Sequence, residues 1–316
     1  DIMATWNGPR QRDAYGWLGR EMPNLRAAFR WAADRGDLDT AATIAVYVSM
    51  ISLFVEQYEP FGWAAELLPA ARVADHRRLA QLYTMASRTY HIGNYEQAME
   101  YAESGLQVID SGRYDVVPYE MDSELPGVYL QTGQIERCNA LHRKRIEQSQ
   151  DSALYARGFL AINLTMTGEL DEALAVSEIL SDVTTVTDNP AMVSWALLGY
   201  GFARHSTDPV IALDAHRRGA QIAVDTGNRL MQTYHTHNLA RLAATFGDPG
   251  EALDFFRFTI SNYLDAGHLS LLAQPLGVLA AFFDHTGRPD AAAILTGFTG
   301  DTPFVQDYYP EVRAAS

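Results

Sequence analysis

Cysteine, lysine and long hydrophobic runs are nearly missing from this 316-residue chain, and each scarcity excludes a class of function. One cysteine, Cys138, cannot form an internal disulfide, and no basic-then-apolar leader opens the sequence, so a cytoplasmic protein is expected. The longest nearly uncharged stretch, Thr40 to Val55, falls short of the roughly 20 residues that span a bilayer, so it reads as a buried helix. The one lysine, Lys144, lies between Arg143 and Arg145 without a glycine loop, so no phosphate-cradling P-loop exists. Gly199 and Gly201 lack the third glycine of a dinucleotide fingerprint and read as tight helix packing. A formal charge of −15 without a strongly basic segment argues against nucleic acid as a direct partner.

Catalytic and metal chemistry are equally hard to place. Neither Gly-x-Ser-x-Gly nor His-Glu-x-x-His occurs, and no cofactor is expected. His235 and His237 stand two apart, which on a helix turns them about 200° from each other, so they cannot chelate one ion. Cys138 has no evident activating base and fits a small packing position. With 47% apolar and 20% charged residues the chain has ample core material and is expected to fold. Its first residue is Asp1 rather than methionine, which suggests a piece of a longer product.

What is present is an internal repeat. A turn glycine is followed two residues later by an apolar residue or proline and five later by a small one: Gly93 with Ala98, Gly133 with Cys138, Gly168 with Ala173, Gly247 with Ala252 and Gly287 with Ala292. Thr207 stands in for the glycine ahead of Ala212, and successive small residues lie 40, 35, 39, 40 and 40 apart. The glycines suit left-handed helix ends, Asp208 and Asp248 suit N-caps, and Pro209 and Pro249 suit first helical positions. Ala86, Ala161, Ala240 and Ala280, seven residues before their glycines, supply the opposing half of each helix crossing, with Leu160, Leu239 and Leu279 facing neighbours. The expected fold is all-α, a right-handed α-solenoid of antiparallel helix pairs. Pro126 and Gly127 should kink one first helix and Tyr200 with Gly201 should disturb another, while an irregular earlier pair is centred on Gly62.

This spacing, Leu-Ala then Gly-x-apolar-x-x-Ala, resembles the tetratricopeptide repeat. The expected organisation is 1–76 as N-terminal helices with an irregular first repeat, 77–300 as the array and 301–316 as a tail. Upstream, Trp17-Leu18, the run Glu21 to Phe29, Trp31-Ala32 and Arg35-Gly36-Asp37 resemble the start of the sensor region in large ATP-dependent transcriptional regulators of the MalT and AfsR type. The run Asp290 to Gly297 resembles the end of such an array. The resemblance implies a signal-transduction module attached to switch domains, with the nucleotide and DNA sites elsewhere. Some actinobacterial relatives add adenylate-cyclase-like or LuxR-type domains.

The first helix of each pair should line the concave face, where solenoids hold ligands. Positions thirteen, ten, six and three before each turn give Tyr83, Ser87, Tyr90, Tyr155, Thr165, Ser194, Arg204, Tyr234, His237, Arg241, Gln274 and Asp284. This polar, aromatic row suits a peptide, a protein or a small anion, with Arg204 and Arg241 able to hold carboxylates. The alternative is that the tyrosines pack between repeats and the arginines pair within the chain. The acidic exterior would also suit a basic partner on the convex face. The function expected is a non-catalytic sensor or effector module, the alternative being a free-standing scaffold or peptide-binding adaptor. An enzyme on the same scaffold would need a polar constellation that the sequence does not reveal.

Overall fold

The computed structural model describes residues 2–149 and 153–299, with the backbone alone at 269 and 270. The expected tail, 301–316, lies outside the described residues. Sixteen α-helices and no strand occur among the described residues. A short α1 (Ile2–Trp6) and a long α2 (Gln11–Asp34) precede the array. Helix pairs follow: α3 (Leu38–Ser52) with α4 (Glu59–Val73), then α5 (Leu79–Ala86) with α6 (Tyr95–Asp110). Next come α7 (Gly127–Gln131) with α8 (Ile135–Gln148), α9 (Leu154–Thr167) with α10 (Leu170–Ser177), and α11 (Pro190–Ala203) with α12 (Pro209–Thr226). Two further pairs, α13 (Arg229–Phe246) with α14 (Pro249–Ala266) and α15 (Leu269–His285) with α16 (Pro289–Thr299), complete the right-handed solenoid.

The repeat signature builds the pair. Ala98, Ala173 and Ala252 are fully buried, as are Ala86, Ala161 and Ala240 on the preceding helices, so the backbones approach closely; a main apolar core joins most of the array, with Ala161 and Ala173 in a smaller cluster beside it. Gly93, Gly133, Gly168 and Gly287 take φ between 75° and 88°, the left-handed geometry that a Cβ disfavours. Gly247 departs from that expectation with φ −123°. Its turn is set instead by the Asp248 carboxylate, which accepts from the amides of Gly250 (2.8 Å) and Glu251 (2.9 Å). Asp208 caps α12 in the same way, accepting from Ile211 N at 3.1 Å.

Three expectations change in detail. The break at Pro126 is larger than a kink: a 3₁₀ segment, Pro118–Glu124, replaces the first half of that helix, and α7 has only 5 residues. Conversely, α11 runs unbroken through Tyr200 and Gly201. Gly199 lies so close to Gly158 that a Cβ there would sit 2.8 Å from its Cα, and a Cβ on Gly201 would meet His216 Nε2 at 2.9 Å. The two glycines are contact points. Gly62 is no turn but lies inside α4, and the first pair turns at residues 53–58. One stretch, Leu38–Val55, is long and apolar enough by composition to cross a membrane, yet 61% of it is buried against neighbouring helices.

The superhelix closes on itself. Gln11 Nε2 donates to Asn189 Oδ1 (2.9 Å), whose own Nδ2 donates to Asn7 Oδ1 (2.9 Å). The Arg12 guanidinium donates to the carbonyls of Asp225 (2.7 Å) and Val224 (2.8 Å), capping the end of α12. A second seam joins Glu56 to Asn262 (3.0 Å) and Arg229 (3.4 Å), and Tyr58 and His91 to His268.

Candidate functional site: the central chamber

Around the superhelix axis the first helices of the pairs enclose an apolar chamber. The space available to water-sized occupants is about 110 Å³. Its floor is an aromatic stack. Trp195 lies on Tyr155 with ring centroids 5.0 Å apart, meets Phe159 at 4.4 Å, and donates its indole N–H to the Tyr155 carbonyl (3.2 Å). Gly158 makes this possible, because a Cβ there would fall 2.3 Å from the indole nitrogen. Phe202, Met231 and Tyr263 continue the apolar wall.

Polar atoms enter at few points. Glu124 lies in the wall, 5% exposed, and burial raises its carboxyl pKa while Arg88 and a hydrogen bond with Tyr155 oppose that rise. Its neighbour Arg88 is fully buried behind the lining, donating Nη2 weakly to the Met121 carbonyl at 3.5 Å. His91 stacks between Tyr90 (4.3 Å) and Tyr58 (5.5 Å), and its Nδ1 faces His268 Nε2 at 2.9 Å. The Tyr58 hydroxyl lies 3.1 Å from His268 Nδ1. Burial holds both imidazoles neutral, with the His268 pKa lowered to about 3 and that of His91 well below its ordinary value. Asn163 donates Nδ2 to the Cys138 sulfur at 3.4 Å, and burial pushes that thiol up to about 12. Cys138 is thus a packed thiol rather than a poised nucleophile.

Of the row counted from the turns, Tyr90, Tyr155, Tyr234, His237 and Gln274 line the chamber together. The others go elsewhere. Ser194 donates to the Gly219 carbonyl (3.1 Å) and lies 3.1 Å from His235 Nε2, within a buried patch where His235 also meets His216. His235 and His237 therefore point apart, one into the inter-helix core and one into the chamber. Ser87, just past the end of α5, donates to the Thr84 carbonyl, and Thr165 donates to the Ala161 carbonyl within α9. Arg204 is held inside the chain, donating to Glu178 (2.7 Å) and Ser177 (2.9 Å) and lying 3.7 Å over Tyr200. Arg241 stacks over Phe202 and donates to Asn238 Oδ1 at 3.0 Å, with 3% exposure. Tyr83 borders a separate recess beside Tyr101 and Glu100, and Asp284 is exposed to solvent.

The chamber face is offset from the counted row by about one residue. Its most regular member stands nine before four of the six turn residues: Glu124, Phe159, Leu198 and Asn238. Positions 155, 159, 162 and 166 follow i, i+4, i+7, i+11, the stripe a helix presents to one side. Counting by four from Tyr155 would have found Phe159 and Asn163.

Comparison with known proteins agrees with this architecture. The tetratricopeptide repeat family matches residues 154–178 and 233–257, the stretches that straddle the turns at Gly168 and Gly247. A solved structure titled "Crystal Structure of Rap Protein Complexed with Competence and Sporulation Factor" superposes with a TM-score of 0.53 at 12% sequence identity, covering 96% of this chain and 100% of that one. At that identity the likeness is one of fold. No curated protein matches the sequence.

Proposed function

We propose that the chain is a non-catalytic binding module that holds a peptide or protein segment in its central chamber and serves as the sensor of a larger regulator. The observation that carries this reading is the closure of the superhelix around the chamber. Tyr90, Glu124, Tyr155, Trp195, Tyr234 and Gln274 come from six successive helix pairs, yet one occupant can touch them all. A ligand binding there contacts both sides of the seam and so favours the closed arrangement by its difference in affinity for closed and open forms.

Two further observations support it. The solved relative of similar shape is complexed with competence and sporulation factor, so this fold carries a bound factor in that protein. The resemblance of residues 17–37 to the sensor regions of ATP-dependent transcriptional regulators supports a switch domain as the element that such a module acts on. A free-standing peptide-binding adaptor would use the same chamber, and the full-length gene product distinguishes the two.

The test is selection of peptides from a displayed random library on the native chain, repeated on Leu130→Trp. Leu130 lines the chamber, and the larger indole fills it. Selected peptides should bind the native chain and lose at least about tenfold in affinity on the variant, with unchanged helical circular dichroism. Equal affinity for both proteins would place binding outside the chamber.

A further inference from the structure

The polar atoms of the chamber define what kind of occupant it accepts, given the reading that the chamber is the binding site. Two residues carry the argument. His91 Nε2 and Asn163 Oδ1 are buried without a hydrogen bond, on residues that are 4% and 0% exposed and that line the chamber. An unpaired buried polar atom costs roughly 1–3 kcal/mol, so two in one cavity mark where an occupant, or water in its absence, completes the bonding.

Their hydrogen-bonding sense follows from the network. A neutral imidazole nitrogen is a better acceptor than a phenol oxygen, so Tyr58 donates to His268 Nδ1. His268 then carries its proton on Nε2 and donates it to His91 Nδ1, which leaves the His91 proton on Nε2, the ring atom without a partner. Asn163 spends its amide N–H on the Cys138 sulfur, so the atom it has left is an acceptor. From these two residues the chamber has a donor on the side of the first pairs and an acceptor on α9.

It offers no compensation for a charge. Among the described residues that line it there is no lysine or arginine, and both lining histidines, His91 and His237, lie under 5% exposed. Arg88 is covered and has Glu124 beside it, while Arg204 and Arg241 are engaged by Glu178 and Asn238. An anion entering would lose its hydration without meeting a free cation. A cation would find only Glu124, whose carboxyl is pushed toward its neutral form by burial against the opposing pull of Arg88. Neither sign of charge meets a full counter-charge in the wall to offset its desolvation.

We infer that the chamber recognises an uncharged, ring-sized apolar group flanked by an amide-like donor and acceptor, such as an aromatic or branched residue in the interior of a peptide, and that it discriminates against charged groups of either sign. The His91 Nε2 proton binds the occupant's carbonyl, and Asn163 Oδ1 accepts its N–H. The accessible volume of about 110 Å³ suits one such anchor rather than a whole peptide.

Three matched probes test this on the native chain: N-acetyltryptophanamide, which is neutral, N-acetyltryptophan, an anion, and tryptophanamide, a cation. Binding is followed by saturation-transfer nuclear magnetic resonance on the probe, with Leu130→Trp as the filled control. The neutral probe should bind at least about tenfold more tightly than either charged one and lose its signal on Leu130→Trp. Asn163→Leu, which keeps the volume and removes the acceptor, should weaken the neutral probe by about tenfold. Because the probe series needs no mutation, the charge preference is read even where a variant folds poorly. Equal or tighter binding of a charged probe that is still lost on Leu130→Trp would overturn the inference and leave the chamber as the site. Probe binding that survives Leu130→Trp would overturn the chamber itself. No binding by any probe at millimolar concentration would overturn the inference alone, since peptide selection tests the chamber separately.

Discussion

His142 lies flat on Phe159, with ring centroids 5.1 Å apart and planes 5° from parallel, and neither ring nitrogen has a hydrogen bond. Burial lowers its pKa to about 3 from an ordinary 6.5, and those of His268 and His235 fall to about 3 and 4. The folded chain keeps these rings neutral while the unfolded chain takes up protons below pH 6.5. The stability they contribute is therefore whole above that pH and is lost progressively as pH falls toward 3 to 4. Glu56 works in the opposite sense. Its carboxyl is raised to about 7 by burial, so it stays protonated in the fold while the unfolded carboxyl ionises above 4.5, and stability is lost as pH rises from 4.5 to 7. Three histidines outweigh it, and the chain should be least stable in acid. Replacing His142 by Phe keeps the ring stack and removes two unsatisfied nitrogens. It should raise stability by about 1 kcal/mol at pH 7 and reduce the acid-side slope by about 1.4 kcal/mol per pH unit. Urea unfolding of both proteins across pH 4 to 7 checks both effects, and an unchanged slope would show that His142 is hydrated in the fold.

At the scale of the helix, small residues set how closely pairs pack, and here the sequence is most legible. The alanines at the crossings, the caps Asp208 and Asp248 and the prolines after them could be read because each is a local requirement of one turn. Which side of each first helix faces the axis was less legible. A turn glycine fixes where a helix ends, whereas the azimuth of its face depends on the neighbouring repeat, and a counting error of one residue rotates the row by about 100°. Hence Phe159, Trp195 and Asn163 line the chamber although they lie outside the counted row, while Arg204 and Arg241 lie within that row and do not line it. Glycines inside helices divide by the same logic. Gly199→Ala should cost at least about 2 kcal/mol, since its Cβ would meet the Gly158 backbone at 2.8 Å, which no side-chain movement relieves. Gly62→Ala in α4 meets nothing within 4 Å and should stabilise by about 0.5–1 kcal/mol. Thermal unfolding of the pair distinguishes them, and equal melting temperatures would contradict the close crossing of α9 and α11.

Over the whole molecule, the property absent from any local motif is closure, because it joins residues about 180 to 210 apart in sequence through side chains with no periodic signature. A stack of repeats touching only their neighbours would be an open spiral. This one is stapled at two places, by Asn7, Gln11 and Arg12 on Asn189 and the end of α12, and by Glu56, Tyr58 and His91 on Arg229, Asn262 and His268. The first staple lies away from the residues that line the chamber, so cutting it isolates the effect of shape from that of contact. Gln11→Ala with Arg12→Ala removes the amide bridge to Asn189 and both guanidinium bonds to the α12 carbonyls. Each repeat keeps its neighbours, so helical circular dichroism should hold while small-angle scattering shows a larger radius of gyration. Affinity for chamber ligands should fall in proportion to the fraction of molecules still closed, tenfold where the open form is left favoured by about 1.3 kcal/mol. Saturating ligand should in turn return the radius toward that of the native chain, since binding and closure are reciprocal. A variant that expands yet binds as tightly as the native chain would show that the chamber is formed by adjacent repeats alone, and that the seam plays no part in holding its occupant.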